Sequence, residues 1–200
     1  MRLAGIEPAV LDIFDARGVV SALARAKPAI VIHQLTDLPP GLDPARMKDA
    51  LPRNARIRDE GTRNLIAGAV AAGAERLIAQ SVCFAYAKGS PPHSEDDPLD
   101  VEAPGGAGLT ARGIASLERQ TLAAPLHSIV LRYGRLHGPG SGVDAPPGAG
   151  ALHVDAAAHA AFLAVTRGAP GVYNIAEDGG SVTCEKAKRL LGWSADWRPG

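Results

Sequence analysis

Arg76-Leu-Ile-Ala-Gln-Ser81 is an aliphatic run with one charged end and a hydroxyl at the other. A run this short, apolar on successive residues and closed by polar ones, reads as a strand buried on both faces. Working upstream, a helix is expected from about Asn54 to Gly73, with Ile57, Gly61, Leu65, Gly68 and Ala72 at three- and four-residue spacing. That face is small enough to lie close against a sheet. Before it come a Pro-rich loop, Leu38–Pro44, and a second buried run, Ala29-Ile-Val-Ile-His33. Further upstream, Pro8–Phe14 reads as another strand, followed by Asp15 as N-cap of a helix running to about Lys27. Downstream, a helix from about Leu109 to Leu122 leads to the strand Ser128–Arg132. A Gly/Pro-rich loop to Gly150, a helix near Asp155–Thr166, a strand Val172–Ile175 and a helix near Val182–Leu191 complete the pattern. Alternation of this kind predicts an α/β fold with a parallel sheet. The expected organisation is a main α/β part over residues 1–150, with residues 151–200 as a small lobe on the same domain.

Composition narrows the function classes. With 46% hydrophobic and 21% charged residues, the 200-residue chain can build a core and is not disordered. Its 21 basic residues balance 21 acidic ones, so no chain-wide field draws it to nucleic acid or to an anionic membrane, and neither is expected as a partner. No apolar run approaches the ~20 residues of a membrane helix, and Met1–Pro8 carries no apolar core of a secretion signal. Cys83 and Cys184 are too few for a disulfide scaffold, so a reducing cytoplasm is the expected location. The six histidines fall in no metal-binding spacing, so no metal site is expected.

Four segments, in order, resemble the NAD(P)-dependent epimerase/dehydratase family, the extended short-chain dehydrogenase/reductases. Ile30-Val-Ile-His-Gln-Leu-Thr36 is similar to a buried strand ending His-Leu-Ala-Ala. Arg58-Asp-Glu-Gly-Thr-Arg-Asn-Leu65 is similar to an Asn-x-x-Gly-Thr-x-Asn-Leu helix, with Arg58 in place of Asn. Arg76–Ser81 followed by Glu95-Asp-Asp-Pro98 looks like the strand bearing the active-site Ser and the acidic-Pro loop beyond it. Leu131-Arg-Tyr-Gly-Arg-Leu-His-Gly-Pro-Gly140 is similar to Leu-Arg-Pro-Gly-Asn-Val-Tyr-Gly-Pro-Gly. His153-Val-Asp155 and Gly171-Val-Tyr-Asn174 agree with the family's distal part. The resemblance implies a doubly wound sheet, NAD or NADP as cofactor, and oxidoreductase or isomerase chemistry. The implied substrate is nucleotide-sugar-like or a small carbonyl or alcohol.

Two departures qualify these expectations. The family opens with a strand and Gly-x-x-Gly-x-x-Gly at a helix N-terminus, where backbone N–H groups cradle the dinucleotide diphosphate. No glycine cluster in this chain stands in that place. Pro8–Phe14 instead looks like the family's third strand, with Asp12 and Ile13 at the adenine-binding position. The fold expected is therefore a Rossmann-like sheet lacking its first two strands and the phosphate loop, in either an N-terminally truncated chain or a naturally short one. With those strands gone, Pro8–Phe14 should pair directly with Ala29–His33 or leave an open edge, which would favour homo-oligomers. The second departure is catalytic. The family's Tyr and Lys, four residues apart on a helix, correspond to Thr110 and Ile114, which supply neither a phenol nor a charge.

Ser81 remains as the candidate catalytic hydrogen-bond donor. Gln34, Leu35 and Thr36 fall where strand ends face the cofactor crevice, and Tyr133 and Gly134 replace a Pro-Gly pair at the nicotinamide edge. His33 and Cys83 read as structural, Asp155 as a helix cap, and Glu95–Asp97 as a solvated loop. The functional expectation is an NAD(P)-dependent epimerase/dehydratase or reductase, impaired or inactive as this chain. The alternatives are a non-catalytic module binding a dinucleotide or a protein, and an incomplete gene product.

Overall fold

A computed structural model describes residues 5–200; Met1–Ala4, the start of the segment read for a secretion signal, lie outside the described residues. Four parallel strands form the central sheet: β1 (Ile30–His33), β2 (Arg76–Val82), β3 (His127–Tyr133) and β6 (Gly171–Ile175), in the order β1-β2-β3-β6. Ile30 pairs with Arg76, Arg76 with His127, and Ile129 with Gly171. Parallel strands need crossover helices, and these cover both faces. On one face lie α1 (Ala16–Ala26), α2 (Pro44–Arg56), α3 (Thr62–Ala71) and α4 (Gly105–Ala123). On the other, α5 (Val154–Ala164) and α6 (Glu185–Leu191) enclose a core of Ile78, Ile129, Leu131, Leu152, Tyr173 and Leu191. The last fifty residues are thus hydrogen-bonded into the sheet through β6. The α/β fold with a parallel sheet expected from the alternating runs, and the doubly wound arrangement implied by the resemblance, are the fold observed.

Local chemistry explains the boundaries. Asp15 caps α1, its carboxylate accepting from the Gly18 N–H at 3.0 Å, and Lys27 closes the helix at φ 47°. Gly68 lets α3 approach α1: a Cβ there would lie 2.6 Å from Leu23 Cδ1, so the small face seen in the sequence packs on a helix as well as on the sheet. The helix expected from about Asn54 begins ten residues earlier, at Pro44. Asp43 accepts from the Ala45 N–H at 3.0 Å and Pro44 takes the first turn, where its fixed φ suits the helix and its missing N–H costs nothing. Proline read as loop was helix start. Between α2 and α3 the helix widens to a π turn over Ile57–Gly61, a feature that tends to mark functional positions.

Pro8–Phe14 is not a strand. The Asp15 N–H donates to the Asp12 carbonyl (3.1 Å) and the Phe14 N–H to the Asp12 carboxylate (2.9 Å), folding the segment into a turn, with Val10 fully exposed. An apolar run forms a strand only beside a partner, and among the described residues none pairs with it. Direct pairing with Ala29–His33 is therefore overturned. Among the described residues β1 is an edge strand with Ile32 46% exposed, the open-edge alternative. The Gly/Pro-rich loop also hides a second parallel pair, β4 (Arg135–His137) with β5 (Ala151–His153), whose three-residue strands are too short to show a period.

Candidate active site

The ends of β2 and β3 carry a saturated polar network. Arg132 grips Glu118 with two hydrogen bonds, Nε to Oε1 at 2.9 Å and Nη2 to Oε2 at 2.7 Å. Ser81 Oγ donates to the same Glu118 oxygen, Oε1, at 2.6 Å. Arg132 Nη1 donates to the Tyr86 hydroxyl at 2.7 Å and to the Glu95 carbonyl, and Tyr86 donates onward to Asn174 Oδ1 at 2.6 Å. The Glu95 carboxylate accepts from the Asn174 N–H at 2.8 Å, tying the loop after β2 to β6. Burial works against the Arg132 charge, but the Glu118 hydrogen bonds and charge outweigh it and hold the guanidinium more firmly protonated than usual. Burial also pushes the Tyr86 phenol up, against the pull of Arg132, so Tyr86 is no ready proton donor or acceptor near neutrality. Glu95 was read as solvated loop; it is instead a brace. Ser81, the candidate catalytic donor, points its hydroxyl into this network.

A cleft of about 380 Å³ opens beside it, over the C-terminal ends of β1 and β2. Its walls come from the segment after β1 (Leu35–Leu42), from α2 and the π turn (Met47, Leu51, Asn54, Arg58), from the end of β2, and from Thr110, Arg135 and Leu136. Asn54 Oδ1 is taken by the Thr36 hydroxyl (3.1 Å) and the Asp37 N–H (3.0 Å), fixing the loop. Ser141 is spent inside its own turn. Arg58 has no hydrogen-bond or salt-bridge partner among the described residues; its Cδ packs against α4 where Gly113 leaves room, and burial lowers its pKa. Arg135 lies 4.5 Å from the ring centre of Phe84 and has no acidic partner either. No Asp or Glu lines this cleft. An adjoining hollow shares Leu51, Phe84, Thr110 and Arg135 and is reached by Asp100, which is not ion-paired with Arg135.

His33 closes the floor. The Leu35 N–H donates to Nδ1 (3.3 Å), which places the ring proton on Nε2, donated to Thr62 Oγ1 at 2.8 Å. Burial first, then the nearby Arg58 charge, lowers its pKa to about 4, so the ring is neutral and structural.

The cleft gathers Leu35, Thr36, Ser81 and Thr110 from the sequence-derived candidates. The others lie elsewhere. Gln34 is exposed beside Leu35. Asp12 is exposed and spends its carboxylate on the Phe14 N–H, while the Ile13 carbonyl accepts from Asn64 Nδ2 at 2.9 Å. Ile114 is fully buried in a cluster with Val82 and Ala85. Tyr133 donates to the Ala157 carbonyl at 2.9 Å, with burial raising its pKa, and Gly134 is pressed against β5, where a Cβ would sit 2.4 Å from the Gly150 carbonyl oxygen. Burial pushes the Cys83 thiol up to about 11, in keeping with a structural cysteine. Arg58 and Arg135, which line the cleft, were not among the sequence-derived candidates. The substitution of Arg58 for a family Asn was the visible signal.

Among the described residues no group of three His, Cys, Asp or Glu could hold a metal, and no helix is long and apolar enough to cross a membrane. Gly105-Gly-Ala-Gly108 does open a helix, α4, but after a long loop rather than a strand end, so it is no diphosphate cradle of the Rossmann kind.

No family model matches the chain. It is 40% identical over 196 aligned residues to a Streptomyces protein, 3-diazoavenalumate denitrifying reductase; the match covers 84% of this chain, which spans 62% of that reductase. Among solved structures, UDP-glucose 4-epimerase from Thermotoga maritima with UDP-glucose is similar at TM-score 0.72 and 18% identity, covering 93% of this chain and 78% of the epimerase. WbmG of Bordetella bronchiseptica, in complex with NAD and UDP, matches at TM-score 0.72 and 18% identity over 98% of this chain and 76% of its own. The dTDP-glucose 4,6-dehydratase of Streptomyces venezuelae, with NAD bound, matches at TM-score 0.71 and 17% identity over 94% and 74%. These neighbours agree with the resemblance read from the four sequence segments. The chain has the fold of the NAD(P)-dependent epimerases and dehydratases, and in sequence it is a relative of a reductase.

Proposed function

We propose that this chain carries the substrate site of an NAD(P)-dependent reductase acting on a small molecule that loses a leaving group, rather than on a sugar hydroxyl. The carrying observation is the cleft at the ends of β1 and β2, whose lining includes Thr110 and no Tyr, Lys, His, Asp or Glu, while Ile114 is fully buried away from it. Oxidation or reduction at a C–O bond needs a group that moves the oxygen's proton, and nothing in the cleft does so. The relative's name describes denitrifying reduction of a diazo compound. In such a reduction the carbon–nitrogen bond breaks, a carbon–hydrogen bond forms and dinitrogen leaves with no oxygen protonated, so a site without a phenol is adequate.

The residues present fit the redox end of the cofactor and not its diphosphate. The crevice lies over strand C-termini, where doubly wound sheets bind ligands, with Leu35 and Thr36 in its wall. No glycine run links a strand end to a helix N-terminus among the described residues. When bound, NAD(P)H supplies the hydride. The chain's own groups shape the cleft, hold its wall through Asn54 and exclude water with Leu35, Met47 and Leu51. Two buried free cysteines support a reducing, cytoplasmic setting, and the open β1 edge supports self-association, which a monodisperse monomer in light scattering would contradict.

The test is turnover of an arenediazonium carboxylate with NADH or NADPH in large excess. Cofactor oxidation matched by dinitrogen release is expected, with a cofactor affinity nearer about 1 mM than about 1 μM for want of a diphosphate cradle. Epimerisation of UDP-glucose without diazo reduction would overturn the reading. An acid bound but never reduced would favour a non-catalytic binding module.

A further inference from the structure

The geometry points to an anion subsite formed by Arg58 and Arg135 that takes the carboxylate of a flat, apolar acid. This rests on the reductase reading for its place in a reaction, but its evidence is the cleft itself. The chain as a whole has no net charge, yet this cleft holds two guanidiniums and no carboxylate. The buried arginine at the neighbouring strand end, Arg132, is by contrast answered by Glu118. A half-buried guanidinium with five donors and no acceptor is costly unless a ligand completes it. Arg58 is also delivered by the π turn that joins α2 to α3.

The remaining walls decide which anion. Leu35, Leu38, Leu42, Met47 and Leu51 are apolar, and Phe84, 44% exposed, offers a ring face already stacked with Arg135. A volume of 380 Å³ lies at the small end of the roughly 300–1,000 Å³ usual for ligand sites. A conjugated or aromatic carboxylate fits such walls; a nucleotide sugar, larger and polar throughout, does not. Arg58 and Arg135 then fix the acid end by paired hydrogen bonds and leave the opposite end of the molecule toward the strand termini.

Calorimetric titration with trans-cinnamate, its methyl ester and UDP-glucose tests this without turnover. Cinnamate is expected to bind at least about tenfold more tightly than the ester. Arg58→Gln and Arg135→Gln should each weaken cinnamate by about tenfold and leave the ester unchanged, and Arg58→Lys should fall between, since a point charge keeps attraction but loses the fork. An unchanged thermal melt shows that the variants fold. Equal affinity for acid and ester, no effect of Arg58→Gln, or tighter binding of UDP-glucose would overturn the assignment. Cinnamate bound through the arginines with no diazo reduction would sink the reductase reading and leave the subsite standing; diazo reduction indifferent to both arginines would do the reverse.

Discussion

Two neighbouring regions at the strand ends treat charge in opposite ways. At β2 and β3, Ser81, Glu118, Arg132, Tyr86 and Asn174 are buried or half-buried and linked to one another by hydrogen bonds. In the adjacent cleft, Arg58, Arg135 and Thr110 have no side-chain hydrogen-bond or salt-bridge partner among the described residues, Arg135 lying only over the Phe84 ring. The residue types of the first region look catalytic, yet the Ser81 and Tyr86 hydroxyl protons are already spent on Glu118 and Asn174. The second region looks ordinary in sequence and holds the groups still able to bind. Residue type alone does not separate a brace from a site; the state of its hydrogen bonds does.

Removing a partner from the braced region should give the largest effect. Glu118→Ala strands Arg132 at 6% side-chain exposure, and urea unfolding should show a loss of about 3–5 kcal/mol. A small loss would mean the network is not the brace described. Next in size is the pH response of His33. Its folded pKa, about 4, lies below the 6.5 of an unfolded histidine, so the unfolded state binds the proton first and stability falls as pH drops from 6.5 toward 4. Between pH 7 and 5 the loss should be about 2 kcal/mol, and His33→Gln should flatten that slope. Tyr86→Phe, which leaves one Arg132 donor and Asn174 Oδ1 short of a partner, should cost about 1–2 kcal/mol in the same unfolding assay. Arg58→Gln should leave stability unchanged or raise it slightly, because it removes a partly buried charge that has no acidic partner and that also works against His33 protonation. A large loss there would move Arg58 from the site to the brace.

The fold was legible because a buried parallel sheet writes itself as aliphatic runs separated by helix-period segments, and β1, β2, β3 and β6 all stood out in this way. Pro8–Phe14 misled because strand formation depends on a neighbour, which no local pattern encodes. The start of α2 was hidden by Pro44, a residue that suits a first turn as well as a loop. The site was legible only in part. Strand-end position brought Leu35, Thr36 and Ser81 to the right end of the sheet, but whether a side chain there is spent or free depends on residues far along the chain, as Glu118 is for Ser81. Arg58 could be noticed as a substitution, and its unpaired state needed the fold.

A crystal structure of the chain soaked with trans-cinnamate tests the central claim most directly. The account predicts the carboxylate within hydrogen-bond distance of Arg58 and Arg135, its ring against Phe84, and the Ser81–Glu118–Arg132 bonds undisturbed. A carboxylate seated on Ser81 or Arg132 with Glu118 displaced would contradict it.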